Sequence, residues 1–408
     1  MQNRSNIVWV LAVTSWDVAA AGVMTLGFHA HDPSHIEAAA ATGYSAIRLW
    51  DSGTDWANLK PQPDLWKFDR INAYLAASKK AHLRVLWTIG KSPRWASARP
   101  NELCAYGFGC ASEPANIDDW RRYVRTIATT FRGQVECYEP WNEVSFPNDP
   151  DFTQPGAGGK PAQFFTGSVA AMVNLARVAY EEIKRADPQA CVLSPSFHSS
   201  GNWAEKFDRY LTAGGGKYCD VVSQHFYFSE EPEQAVRLIR RMRRVMEAHG
   251  LGHVPLWNTE VGVSFEVQVK HWPGLSPEDL VYAFTLRTYL LNASEGVPRV
   301  YWYAWDNKNM GYFTSDTNHD FGSAAASAAV HLLDGLKSAS CQSKDSVWQC
   351  QVSAGGRDFK VVWLAGRTVN PKLIVFKDSA IRWGSAPVRL PAGQQIKLDG
   401  RPIIVSNE

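Results

Sequence analysis

The chain has 408 residues, 45% of them hydrophobic. That is enough for a large core and more than one average domain. Its 42 Lys and Arg stand against 40 Asp and Glu, a formal charge of +2, which excludes a basic field for nucleic acid and an acidic tail.

At the N-terminus, Arg4 precedes the apolar run Ile7 to Val13, and small residues follow at Ala19, Ala20 and Ala21. Two readings of residues 1–23 stand side by side. One is a short signal peptide, which Asp17 in the cleavage region argues against. The other is a strand lying against the C-terminal domain. No later stretch is long and apolar enough to span a membrane.

From residue 24 strands and helices alternate. The first strand is Thr25 to Ala30. The first helix has Asp32 as N-cap and Pro33 at its first position, and it stops at Gly43. The second strand is Ala46 to Trp50, followed by a Trp-, Asp- and Pro-rich loop and a helix from about Phe68 to Lys80. The third strand, Leu83 to Ile89, leads into a long loop, Ser92 to Ala115, and a helix over Ile117 to Phe131. The fourth strand is Val135 to Trp141. A further loop, Val144 to Lys160, carries Pro155-Gly156-Ala157-Gly158-Gly159 and is placed to wall a cleft. A helix over Pro161 to Lys184 follows. The fifth strand, Cys191 to Ser196, precedes a short helix around Ala204 to Leu211. The sixth is Asp220 to Phe226. The amphipathic segment Glu233 to Ala248 comes next, with Arg240, Arg241, Arg243 and Arg244 read as a solvated face. The seventh strand is Val254 to Thr259, with a helix over Pro277 to Asn292. The eighth is Arg299 to Ala304, with an Ala-rich helix over Ser323 to Leu336. Eight such units over residues 24–336 predict an α/β fold, a (β/α)8 TIM barrel.

After Leu336 the pattern turns to strands without helices: Val347 to Val352, Phe359 to Leu364, Leu373 to Phe376, Val388 to Leu390 and Pro402 to Val405. Turn signals at Gly355-Gly356 and Asp399-Gly400 separate them. Residues 337–408 are read as a small β-sandwich with a structural role.

Seven cysteines are present. Cys104 and Cys110 flank a short loop, and Cys341 and Cys350 flank a hairpin. Both spacings are easily bridged, which points to an oxidising, secreted or periplasmic location. Cys137, Cys191 and Cys219 remain, so at least one thiol stays free. Cys137, in the fourth strand, and Cys191, starting the fifth, are read as buried thiols. No spacing matches a Cys-x-x-Cys zinc site.

The chemistry centres on two stretches, Tyr138-Glu139-Pro140-Trp141-Asn142-Glu143 and Leu256-Trp257-Asn258-Thr259-Glu260. Each ends a strand with a carboxylate, and functional side chains of such barrels sit at one face, where strands end. One protonated and one ionised carboxyl on either side of an anomeric carbon is what glycosidic cleavage needs. Glu139 alternates with Glu143 but sits farther from the strand end and ranks below it. The 17 Trp and 14 Tyr agree with a carbohydrate cleft, since flat rings present faces to sugar C–H bonds.

The paired motif resembles the large clan of retaining glycoside hydrolases built on the (β/α)8 barrel. Within that clan the chain is most similar to glycoside hydrolase family 39, which includes β-xylosidases, α-L-iduronidase and exopolysaccharide-cleaving enzymes. The resemblance covers roughly residues 24–335. It implies Glu143 as acid/base and Glu260 as nucleophile of a double displacement, with no cofactor and no metal. It also implies Arg48 and Tyr227 as donors to the nucleophile and Asn142 as the contact to the 2-hydroxyl. His225 supports Glu143 or a sugar hydroxyl, Trp305 is a floor for the sugar, and His29 and His31 reach sugar hydroxyls. Trp95 is a further substrate contact, with Trp87, Asp306 and Lys308 weaker.

Two readings of other classes remain. A metal-dependent amidohydrolase-type barrel would use His29, His31, His198, His225 and Asp306, but leaves Glu143, Glu260 and Arg48 without a role. A non-catalytic sugar-binding barrel would not need both carboxylates. The expected partner is an oligosaccharide or polysaccharide, with no nucleic acid. The chain is shorter than typical β-xylosidases of the family, which favours an endo-acting enzyme on a bacterial polysaccharide. Sugar identity, linkage, transglycosylation and oligomeric state are left open by the sequence.

Overall fold

The computed structural model describes residues 22–147, 164–199, 201–272, 274–307, 309–314, 319–320, 322–366, 372–376, 380–382 and 388–406. Both readings of the N-terminus, the Gly-rich run 155–159 and Lys308 lie outside these residues.

Eight parallel strands form one curled sheet. They are β1 (Thr25–Phe28), β2 (Ala46–Leu49), β3 (Arg84–Ile89), β4 (Cys137–Pro140), β5 (Cys191–Val192), β6 (Val222–His225), β7 (Leu256–Val261) and β8 (Arg299–Trp302). Sequence neighbours pair in turn, β8 returns to β1, and a parallel bridge between Leu193 and Val221 joins the two ends. The result is a closed (β/α)8 barrel. Close packing inside it requires small residues in places. A Cβ on Gly27 would stand 2.4 Å from the Tyr301 ring.

The helices that follow these strands in turn are α1 (Ile36–Ala40), α2 (Asp69–Lys80), α3 (Ile117–Thr130), α4 (Val169–Ala186), α5 (Trp203–Thr212), α6 (Gln234–Ala248), α7 (Pro277–Ser294) and α8 (Ser323–Leu332), with shorter helices at Trp56–Leu59 and Phe265–His271. The expected start of the first unit holds: the Asp32 side chain accepts from Ser34 N ahead of a 3-10 turn, Pro33–His35, that leads into α1. On α6, Arg240 and Arg241 are not merely solvated. They pair with Glu295 and Glu205 of neighbouring segments. Helix α7 shows no amphipathic period, because every residue from Asp279 to Asn292 is buried. One side faces the barrel and the C-terminal strands cover another: Cys341 N donates to Ser294 Oγ at 2.9 Å. A helix covered on two sides reads as apolar all round.

Among the described residues the C-terminal region holds eight strands, against the five read from sequence: β9 (Ser338–Lys344), β10 (Val347–Ala354), β11 (Arg357–Leu364), β12 (Lys372–Val375), β13 (Ala380–Arg382), β14 (Val388–Leu390), β15 (Gln395–Leu398) and β16 (Ile403–Ser406). Six make an antiparallel sheet, and β12 pairs with β15 alone. Val362, Leu364, Ile396, Leu398, Ile403 and Val405 form a second core between the two layers. Buried Arg287 of α7 ties barrel to sheet: it is ion-paired with Glu233, whose carboxylate accepts from Trp363 Nε1 at 2.7 Å.

Disulfides join Cys104 to Cys110 and Cys341 to Cys350, as the spacings predict. The reading of Cys137 and Cys191 as thiols is corrected: they form a third disulfide, with Cα atoms 4.5 Å apart. They are direct partners in the β4–β5 register, a proximity set by strand pairing and not by sequence spacing. Cys219 is the free thiol, and burial pushes it up to about 12.

Candidate active site

Strand parity stacks the barrel interior in layers. Ala46, Leu86, Cys137, Val221, Trp257 and Tyr301 belong to one apolar cluster. Two residues further along the same strands the layer is polar. There Glu139, wholly buried, accepts from Arg48 Nε at 2.9 Å, Thr88 Oγ1 at 2.6 Å and Thr259 Oγ1 at 3.1 Å, and from the Ser223 hydroxyl. Arg48 is also fully enclosed. It donates through Nη1 to Glu260 Oε2 at 2.6 Å and through Nη2 to Asn142 Oδ1 at 2.6 Å. A buried guanidinium is tolerable only when its charge and donors are matched in this way. Arg48 makes no pair with the adjacent Asp51.

The top layer carries the two glutamates. Glu260 lies within β7, not beyond it. Gln224 pairs with Asn258 while the next residue, His225, pairs with Glu260, so a residue is inserted in β7. Thr259 and Glu260 are consecutive, yet both reach the polar interior. An unbroken strand would send them to opposite faces; the bulge turns Glu260 inward. Gly262 permits the close approach that follows, since a Cβ there would lie 1.9 Å from the Tyr303 carbonyl oxygen. Glu143 is presented differently. Trp141 and Glu143 both have positive φ, 92° and 44°, conformations rare for side-chain-bearing residues and concentrated at functional sites. Ser196 fixes this turn, its hydroxyl accepting from Glu143 N at 3.1 Å and its carbonyl from Val144 N at 2.9 Å.

Tyr227 donates to Glu260 Oε1 at 2.8 Å, and His225 Nδ1 lies 2.8 Å from Glu143 Oε1. Burial pushes the His225 imidazole down to about 3, so it is neutral near pH 7. Burial also raises both glutamates above the usual carboxylate range. Ligand atoms of Glu143, His225 and Glu260 lie within 4.8 Å of one another, the one such group among the described residues. Each could offer an oxygen or nitrogen to a cation, but Arg48 at 2.6 Å already balances Glu260.

The remaining sequence candidates divide. His29 is wholly buried, with Nε2 3.2 Å from the Thr259 carbonyl. His31 lies beside the Tyr303 ring, 5.2 Å between centroids. Trp305 is mostly buried, and its backbone N–H bonds to His29 O at 2.8 Å. Trp95 packs on Trp56 and donates to Lys60 O at 2.8 Å, contacts away from the carboxylates. Trp87 is core, donating to Thr54 O at 3.1 Å. The five residues of the metal-barrel reading do not converge. Asp306 accepts from His31 N and Asp32 N at 2.6 and 3.0 Å and meets His35 Nδ1 at 2.6 Å. His198 stacks on Tyr227.

Glu139, ranked below Glu143 from sequence, takes the deeper place and anchors Arg48. Its signal was parity: it stands on the inward-facing face of its strand. Sequence reasoning also passed over Asp51, Lys91, Tyr106 and Tyr303, which meet one another: both phenols donate to Asp51, and Lys91 lies 3.8 Å from it.

No family model matches the chain, and no curated protein matches it in sequence. Solved structures do match in fold. A family 39 glycoside hydrolase from Bacteroides cellulosilyticus WH2 superposes with a TM-score of 0.70 at 18% identity, covering 95% of this chain and 81% of that one. A family 39 β-xylosidase from Caulobacter crescentus gives 0.62 at 18% identity, covering 95% and 97%. A family 30 endoxylanase from Clostridium papyrosolvens C71 gives 0.60 at 12% identity, covering 95% and 98%. This chain has the fold of those glycoside hydrolases. The likeness includes the C-terminal strands as well as the barrel, as the coverage shows.

Proposed function

We propose that the chain is a retaining glycoside hydrolase of family 39 type, with Glu143 as acid/base and Glu260 as nucleophile. The observation that carries this reading is the approach of the two carboxylates, with oxygens within 4.8 Å. A retaining pair stands about 5 to 5.5 Å apart, whereas an inverting pair leaves room for a water at roughly 6.5 to 9.5 Å. The environments support the division of labour. Glu260 receives Arg48 and Tyr227, so the negative charge rests there. Glu143 faces a neutral imidazole and keeps the proton, raised by burial. Protonated Glu143 delivers its proton to the leaving oxygen as Glu260 attacks the anomeric carbon. The glycosyl-enzyme has lost the charge of Glu260, so the Glu143 pKa falls and its carboxylate takes a proton from the incoming water. A sugar acceptor in place of water would give transglycosylation.

On this reading Asn142, held by Arg48, contacts the 2-hydroxyl and Trp305 forms the sugar floor. Residues 24–336 form the catalytic barrel and 337–408 a structural partner. Three disulfides accord with a secreted or periplasmic protein. Among the described residues no helix is long and apolar enough to cross a membrane. The substrate on this reading is an oligosaccharide or polysaccharide with a β-linked or related equatorial bond, cut internally.

The test is turnover of Glu143→Ala and Glu260→Ala on an aryl-glycoside panel with azide. A β-azide from Glu143→Ala and an α-azide from Glu260→Ala are the expected products. Parental activity in both variants on a substrate the parent cleaves would remove the two-carboxylate reading.

A further inference from the structure

We infer that Asp51 is a sugar-binding, specificity-determining residue of this site, accepting hydrogen bonds from ring hydroxyls of a neutral sugar. The inference rests on the glycosidase reading and deepens it. Asp51 lies just beyond β2, three residues past Arg48, at φ 55°. That conformation is uncommon outside glycine, and Asp is among the residues that adopt it. Two phenols from distant elements hold its carboxylate. Tyr106, on the short hairpin closed by Cys104–Cys110, donates to Oδ1 at 2.5 Å. Tyr303, just after β8, donates to Oδ2 at 2.8 Å.

Lys91 lies 3.8 Å from Asp51 Oδ1 and 3.3 Å from Asp55, and the Tyr106 ring covers it at 3.3 Å from its centroid. The cation is thereby shut away, its side chain 8% exposed against 23% for Asp51. An ionised carboxylate offers about four acceptor sites, and the phenols take one on each oxygen. About two are left, on a side chain that stays partly exposed. The carboxylate is also tied to the catalytic strand: Tyr303 N donates to Val261 O, next to Glu260, at 2.8 Å. Burial foremost raises the Glu143 carboxyl, and the negative charge of Asp51 adds to it. A mere fastener for the Tyr106 hairpin would need one oxygen and no exposure. A rigid carboxylate with free acceptor sites suits hydroxyl donors and repels a sugar that carries its own carboxylate.

The probe is the aryl glycoside that the panel identifies, with each ring hydroxyl replaced in turn by hydrogen. In the parent, loss of the hydroxyl held by Asp51 lowers kcat/KM roughly 10- to 100-fold. In Asp51→Asn that loss shrinks to about threefold or less, while the loss at the 2-position, where Asn142 is placed, stays as in the parent. Tyr303→Phe, which keeps the carboxylate but frees it, shrinks the same loss partway. Equal losses in parent and Asp51→Asn at every hydroxyl overturn the inference. Should Asp51→Asn not fold, a Tyr303→Phe profile identical to the parent's overturns it. Failure of the glycosidase reading looks different: Glu260→Ala then turns over like the parent, and the inference falls with it.

Discussion

Arg48 Nη1 stands 2.6 Å from Glu260 Oε2, and the opposite edge of the same guanidinium holds Glu139 through Nε at 2.9 Å. One buried cation therefore serves two buried carboxylates. Removing it leaves both without their counter-charge, and breaking a buried pair costs about 3 to 5 kcal/mol. Arg48→Ala is expected to lower the unfolding free energy by that amount and kcat by roughly 100-fold or more, as loss of a preorganised electrostatic contact does. Arg48→Lys should regain part of the stability and little of the turnover, because one ammonium cannot span Glu139, Glu260 and Asn142. Parental turnover in either variant would take Arg48 out of the site.

The pH dependence of kcat/KM follows from the glutamates. Glu143 acts protonated, and burial raises its pKa, so activity is lost as pH climbs past that raised value; the acid limb belongs to Glu260, which acts ionised and is raised by burial as well. His225 is pushed down to about 3, so it does not titrate across the working range and contributes no limb near pH 6. Glu143→Gln on an activated aryl glycoside, whose leaving group needs no proton, should abolish the alkaline limb. Persistence of that limb would assign it to another group.

The barrel was legible because each unit carries its own local signals: the Asp32-Pro33 helix start, the Gly43 stop, the apolar runs. The glutamates were legible because strand ends are where such barrels place chemistry. What stayed hidden depends on register. Nothing in Trp257 to Val261 announces the bulge that turns Glu260 inward, since the inserted residue shows only against β6 and β8. Glu139 ranked below Glu143 because it sits farther from the strand end, and that depth is why it anchors Arg48. In the C-terminal region β9 went unread because Ser338 to Lys344 is mostly polar and has no alternation. β13 and β15 went unread as well, although β15 alternates exposed polar and buried apolar residues.

The Cys137–Cys191 bond was hidden for the same reason, and its effect is measurable. It links residues 54 apart in sequence, a loop whose closure in the unfolded chain corresponds to about 4 kcal/mol of stability in the chain-entropy account. The double variant Cys137→Ala/Cys191→Ala is expected to lose about 2 to 4 kcal/mol in denaturant unfolding, with activity at low temperature close to the parent's. An unfolding midpoint within error of the parent's would show that this bond adds nothing to equilibrium stability.

Glu182 of α4 gives a stability prediction with a definite pH signature. Its buried carboxylate accepts from Arg125 Nε at 2.8 Å, Arg185 Nη1 at 2.6 Å and Arg121 Nη1 at 3.3 Å. Hydrogen bonding to Arg125 foremost, against the opposing effect of burial, lowers its pKa to about 2. In the unfolded chain a glutamate titrates near 4.3. The folded value is the lower one, so the stabilisation is present above about pH 4.3 and disappears as pH falls through about 2. The arginines are partly exposed, at 28 to 63%, and solvent screening trims the effect. Glu182→Gln is therefore expected to cost about 1 to 2 kcal/mol at pH 7, with the gap between parent and variant closing by pH 2. Urea unfolding at pH 7, 4 and 2.5 measures the gap directly, and a gap that does not change with pH would mean that packing, not charge, is what Glu182 supplies.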